Sequence, residues 1–172
     1  ANFTHLLFNM LGLFFFGALV ERYLGSRRYL AFYLTCGVCG SLLYLLLNAL
    51  GGLGLSAPGV LINDLYTPLI GASAGVFGIL MACAYVAPNA TILVMLIIPM
   101  RLATAAYLFT ALAAFNLLTG GSNAGGDAAH LGGAIAGFLL IRNTHFLNDI
   151  LGFFSSGPVG DGGARPARSV AP

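Results

Sequence analysis

Apolar residues in this chain come in long blocks, with polar positions gathered between them. Five blocks, about Thr4 to Val20, Tyr29 to Leu50, Pro68 to Val86, Arg101 to Leu118 and Asp127 to Ile141, are nearly free of charge. Crossing a hydrocarbon layer of about 30 Å takes roughly 20 such residues, so each block predicts a spanning helix. Several run short, which predicts helices that begin below the membrane surface or line a polar cavity, since a lipid-facing helix must cover the full thickness. The segment from Ala87 to Met100 is also apolar but contains Pro88 and Pro99. It predicts an interfacial or half-buried connector rather than a sixth span.

Composition agrees with this pattern. Of 172 residues, 59% are hydrophobic and 7% charged, against roughly 25% charged in soluble domains. The predicted class is an all-α polytopic transmembrane helix bundle with the lipid bilayer as its surroundings. One domain over residues 1–145 is expected, with 146–172 as a cytoplasmic tail. From about Gly157 the tail reads GPVGDGGARPARSVAP, too poor in apolar residues to fold alone, and is expected to be disordered.

Charge placement sets the orientation. The first two blocks are joined by ERYLGSRR, with Glu21, Arg22, Arg27 and Arg28, which the positive-inside rule assigns to the cytoplasm. Alternating from there puts every Arg on that side, while the external loops and their borders carry only Asp64 and Asp127 as charges. The Arg residues form no basic stripe, so no nucleic-acid partner is expected. Cys36, Cys39 and Cys83 lie inside apolar blocks and read as small packing residues. With no second ligand pair beside the C-x-x-C, neither a metal nor another cofactor is expected.

Polar side chains inside spans are costly and point to function. His5 and Asn9, four residues apart, share one helix face near the outer end of the first span, Ser73 lies near the outer end of the third, and His130 near that of the fifth. All four therefore fall at similar depth on the external side. A Ser hydroxyl becomes nucleophilic when a neighbouring neutral His accepts its proton. His5, Asn9 and the Ser73 backbone N–H can supply donors to a developing oxyanion. Asp127, one turn before His130, is expected to face the external loop. Gly71 and Gly75 bracket Ser73, and Gly133 and Gly137 follow His130; small faces of this kind allow close helix packing and would bring Ser73 and His130 within reach. Below this level the inner two-thirds of the helices offer no titratable partner, which suits a dead-end cavity better than a transport path.

In combination these motifs resemble the rhomboid family of intramembrane serine proteases, from His5 to about Ile141. HLLFN (His5 to Asn9) is similar to that family's H-x-x-x-N, GASAG (Gly71 to Gly75) to its G-x-S-x, and AHLGGAIAG (Ala129 to Gly137) to its A-H-x-x-G-x-x-x-G, while Glu21 and Gly25 match a further pattern. The resemblance implies a bundle of at least six helices, a water-filled cavity on the external side, and a Ser73/His130 dyad aided by His5 and Asn9. It also implies that Phe77, one turn after Ser73, packs against His130. The family pattern places another helix and a long external loop before H-x-x-x-N, so a segment upstream of Ala1 is expected.

The implied activity is endoproteolysis of transmembrane segments of other membrane proteins, by a multi-pass protein of a bacterial cytoplasmic membrane whose site faces outward. The alternative is a catalytically inactive rhomboid-like factor that binds membrane proteins in quality control, but such proteins typically lack the Ser or the His. GASAG also fits the nucleophile elbow of α/β-hydrolases, which needs a strand-turn-helix setting that this chain does not offer. TGGSNAGG (Thr119 to Gly126) lies above His130 in this topology and is expected to be a mobile lid.

Overall fold

The computed structural model describes residues 3–60, 69, 72–94 and 97–155. Among these lie six helices and one hairpin: α1 (Phe3–Leu24), α2 (Ser26–Gly52), α3 (Ser73–Val86), β1 (Thr91–Val94), β2 (Ile98–Arg101), α4 (Leu102–Leu118), α5 (Ala124–Arg142) and α6 (His145–Ser155). α1, α2 and α5 are long and apolar enough to cross a membrane, and α3 and α4 are shorter apolar helices. The five helices α1 to α5 fall on the five predicted blocks. The tail beyond α6, Asp64 and Gly71 lie outside the described residues.

Local chemistry explains the breaks. Between α1 and α2, Gly25 adopts φ +79°, a backbone state that favours glycine. Its N–H donates to the Glu21 carbonyl at 2.7 Å, and the Ser26 hydroxyl donates to Glu21 Oε1 at 2.7 Å. α1 contains a π-helical turn over Leu13–Gly17, where the Cys83 thiol donates to the Phe16 carbonyl at 3.4 Å.

Within the segment expected as an interfacial or half-buried connector, β1 and β2 pair as an antiparallel hairpin, with Leu93 opposite Pro99. A two-stranded sheet has only edges, so a proline costs no ladder bond that a further strand would need. The stretch expected as a lid, Thr119 to Gly126, contains a turn and the start of α5. Gly120 takes φ +69°, Gly121 N–H donates to the Asn116 carbonyl, and Ala124 already begins α5.

α5 is the hub, packed against α2, α3 and α4. Its contacts are backbone on backbone. A Cβ added at Gly133 would land on the Ala74 carbonyl, one at Gly137 would meet Gly78 Cα at 2.5 Å, and one at Gly132 would meet the Cys39 carbonyl at 2.8 Å. From the other side, a Cβ at Gly40 of α2 would meet the Ala129 carbonyl at 2.5 Å. Gly75 does not take part in the α3–α5 contact, contrary to expectation: it faces the ring of Tyr33 on α2. Positions one and five after Ser73, Ala74 and Gly78, form the α3 face that meets α5.

α3 sits at the centre, with Ala74, Gly75 and every residue from Gly78 to Ala84 buried. Its 14 residues give about 21 Å at about 1.5 Å per residue, short of a layer of about 30 Å. Flanked by longer helices, it can begin well inside the membrane. Large apolar side chains on the outside of α1 and α2, such as Phe14, Phe15, Leu34 and Leu42, are exposed, as suits contact with lipid chains.

Gly133→Ala and Gly137→Ala should each lower the thermal unfolding midpoint in detergent by several degrees, since overpacking costs about 1–3 kcal/mol. Gly37→Ala, whose Cβ would meet nothing within 4 Å, should hold or raise it. Equal midpoints for all three would mean that α5 does not approach α3 through these glycines.

Candidate active site

Ser73 is the first residue of α3 and His130 lies in the second turn of α5. The two helices touch at Ala74 and Gly133. Side chains lean toward the N-terminus of their helix, so from one turn above Gly133 the His130 ring reaches the start of α3. His130 Nε2 stands 2.9 Å from Ser73 Oγ, a hydrogen bond between residues 57 apart in sequence.

Phe77, four residues after Ser73 and so on the same face of α3, lies flat against the imidazole. The ring centroids are 4.2 Å apart and the planes differ by 6°. This stacking fixes the ring plane and covers one face, leaving the two nitrogens to decide the polar contacts.

The other nitrogen has a partner that contradicts the expectation for Asp127. That residue does not face the external loop: it is buried, 7% exposed, and its Oδ1 lies 3.4 Å from His130 Nδ1. Its Oδ2 accepts a hydrogen bond from Asn116 Nδ2 of α4. A carboxylate at Nδ1 favours the tautomer with hydrogen on Nδ1, which leaves the Nε2 lone pair for the Ser73 hydroxyl. The i, i+3 spacing of Asp127 and His130 is the sequence signal for this contact. For Asn116 the signal is a lone amide at the outer end of the fourth block, which the motif reading overlooks.

His5 and Asn9 occupy α1 on the same side. Asn9 is buried, 6% exposed, and its Nδ2 donates to the His5 carbonyl at 2.7 Å, a bond that uses one amide hydrogen within its own helix. Ser73 N–H belongs to the first turn of α3, where amides have no acceptor within the helix and the dipole is positive. Of the expected supporting residues, Gly133 and Gly137 hold α5 against α3, Gly75 packs on α2, and Gly71 lies outside the described residues. A groove of about 370 Å³ between α2 and the start of α3 is lined by Ala72 and Gly75, beside Ser73 but not part of the dyad.

Chemically, the arrangement pairs a hydroxyl with a base whose orientation is set on three sides, next to a helix N-terminus. That suits acyl transfer through Ser73.

A family model described as Rhomboid domain matches residues 1–145. Among curated proteins, RHOMBOID-like protein 12, mitochondrial, of Arabidopsis thaliana is 32% identical over 132 residues, 76% of this chain and 39% of the relative. The chain thus spans about two fifths of the length of that relative. No solved structure matches significantly.

Phe77→Ala should lower turnover of a fluorogenic peptide about tenfold, because an aromatic pair contributes about 0.5–1.5 kcal/mol beyond area and the freed imidazole spends less time aligned. Phe77→Tyr should keep most of the rate. Full activity in Phe77→Ala would mean that ring orientation is set elsewhere.

Proposed function

The chain belongs to the rhomboid family, and from that membership we propose that this integral membrane protein is an intramembrane serine endopeptidase that cuts transmembrane segments of other membrane proteins. The observation that carries the reading is the 2.9 Å contact between His130 Nε2 and Ser73 Oγ.

In the proposed reaction, Ser73 Oγ attacks a substrate carbonyl while His130 Nε2 takes its proton. The tetrahedral oxyanion is met by Ser73 N–H and by donors on His5 and Asn9. The peptide C–N bond then breaks, His130 returns the proton to the leaving amine, and an acyl-enzyme remains on Ser73. Water, deprotonated by His130, cleaves that ester and regenerates the hydroxyl. A helical amide is shielded by its own hydrogen bonds, so the substrate segment must unwind before its carbonyl can approach Ser73. Helix-breaking residues near the cut should assist.

That α3 is short and central supports a site in which Ser73 lies below the membrane surface, at the end from which water would enter. The Arg residues of the described chain lie at the opposite ends of the helices, at Arg22, Arg27, Arg28, Arg101 and Arg142. That placement supports an orientation with Ser73 opening on the side away from the Arg residues; a bacterial cytoplasmic membrane remains the proposed location. The mitochondrial location in the plant relative's name describes that relative.

In liposomes carrying a transmembrane substrate, Ser73→Ala and His130→Ala should each reduce cleavage to background, and the double variant should lose no more, as expected of residues acting as a unit. Cleavage that persists in Ser73→Ala would refute the reading. Substrate capture by wild type without any cleavage would favour a binding factor instead.

A further inference from the structure

We infer that Asp127, held by Asn116, is a positioning residue that fixes the His130 tautomer and stabilises the imidazolium formed when Ser73 attacks. The inference rests on the protease reading and extends its dyad to a chain of polar contacts from α3 through α5 to α4.

Both oxygens of Asp127 are engaged in different directions. Oδ1 lies 3.4 Å from His130 Nδ1, and Oδ2 accepts from Asn116 Nδ2. A carboxylate that served only the α5 N-terminus would gain what the helix dipole offers while facing water. This one is buried instead, 7% exposed, in a chain where polar burial within spans is costly. Its orientation is over-determined. Asp127 and His130 share one face of α5, the Asp127 N–H donates to the Asn123 carbonyl at 2.9 Å, and Asn116 anchors the far oxygen from another helix. At the other end of the chain, Phe77 fixes the imidazole plane. Ser73, His130, Asp127 and Asn116 thus stand in line, and only the first two touch the reacting atoms.

A negative charge at Nδ1 opposes the positive charge that His130 acquires in the transition state, and it holds the lone pair at Nε2. Proton transfer by a placed base contributes about 10²–10⁴-fold, so weakening the base without removing it should cost a part of that. In this role no proton passes from His130 to Asp127.

The test uses the full chain in detergent. Asp127→Asn preserves size and the Asn116 contact but removes the charge. We expect kcat to fall about 10- to 100-fold with KM within about twofold and an unchanged unfolding midpoint, and Asp127→Glu to recover part of the loss. Independently, ¹⁵N-histidine NMR of the wild-type protein should show neutral His130 with hydrogen on Nδ1. Wild-type kcat in Asp127→Asn overturns the inference, as does a loss of kcat no greater than the loss of folded protein. So does hydrogen on Nε2 in the wild type, which applies even if the variants fail to fold. Ser73→Ala, run in parallel, separates the two readings: turnover there removes the protease reading, while an inert Ser73→Ala beside a fully active Asp127→Asn removes only the role of Asp127.

Discussion

The site depends on how closely three helix backbones approach one another. α5 meets α3 at Gly133 and Gly137 and meets α2 at Gly132, with no side chain on the glycine side of each contact. Ser has the shortest side chain that carries a hydroxyl, so it can reach a neighbouring helix only if the backbones nearly touch. Placing Gly133 against Ala74 puts the residue before Ala74 beneath the residue one turn above Gly133. Those residues are Ser73 and His130. In lipid, where apolar side chains gain little by leaving their solvent, close packing and interhelical polar contacts are what hold helices together. The glycine contact and the 2.9 Å hydrogen bond therefore support each other.

Helix length supplies the second constraint. α3 is surrounded by protein, so it need not match the bilayer, and its 14 residues allow its N-terminus to lie inside the membrane. That position combines a positive helix end, first-turn amides without an acceptor inside the helix and an ordered base. The polar cluster at this level is extensive, including His5 and Asn9 of α1, Asn116 of α4 and Asp127 of α5, and it caps a bundle whose middle is closed by Phe32, Ile79, Cys83 and Ile141.

Much of this was legible in sequence because the membrane imposes coarse rules. Long, nearly uncharged blocks gave the five helices, and the described Arg residues fall at the helix ends away from Ser73. Shared depth then singled out Ser73 and His130. What escaped was the rotation of each helix about its own axis. The spacing of Gly71 and Gly75 suggested a face toward α5, but the helix turns so that Ala74 and Gly78 make the contact and Gly75 receives Tyr33. The same ambiguity hid Asp127, whose i, i+3 offset from His130 fits either a loop-facing or an inward position until α4 brings Asn116 alongside. Local hydrogen bonding decided the remaining differences. The β1–β2 pairing organised an apolar stretch that its two prolines had marked as irregular, and Gly120 tightened a glycine-rich loop into a turn.

The central claim is that Ser73 is a nucleophile because His130 activates it. Mass spectrometry of the protein after reaction with a fluorophosphonate tests this most directly, since the probe forms a stable adduct with an activated serine and requires no substrate. The account predicts one adduct, mapped to Ser73, formed by the wild type and absent from His130→Ala. An adduct on Ser41 or Ser122, or equal labelling of Ser73 without His130, would contradict it.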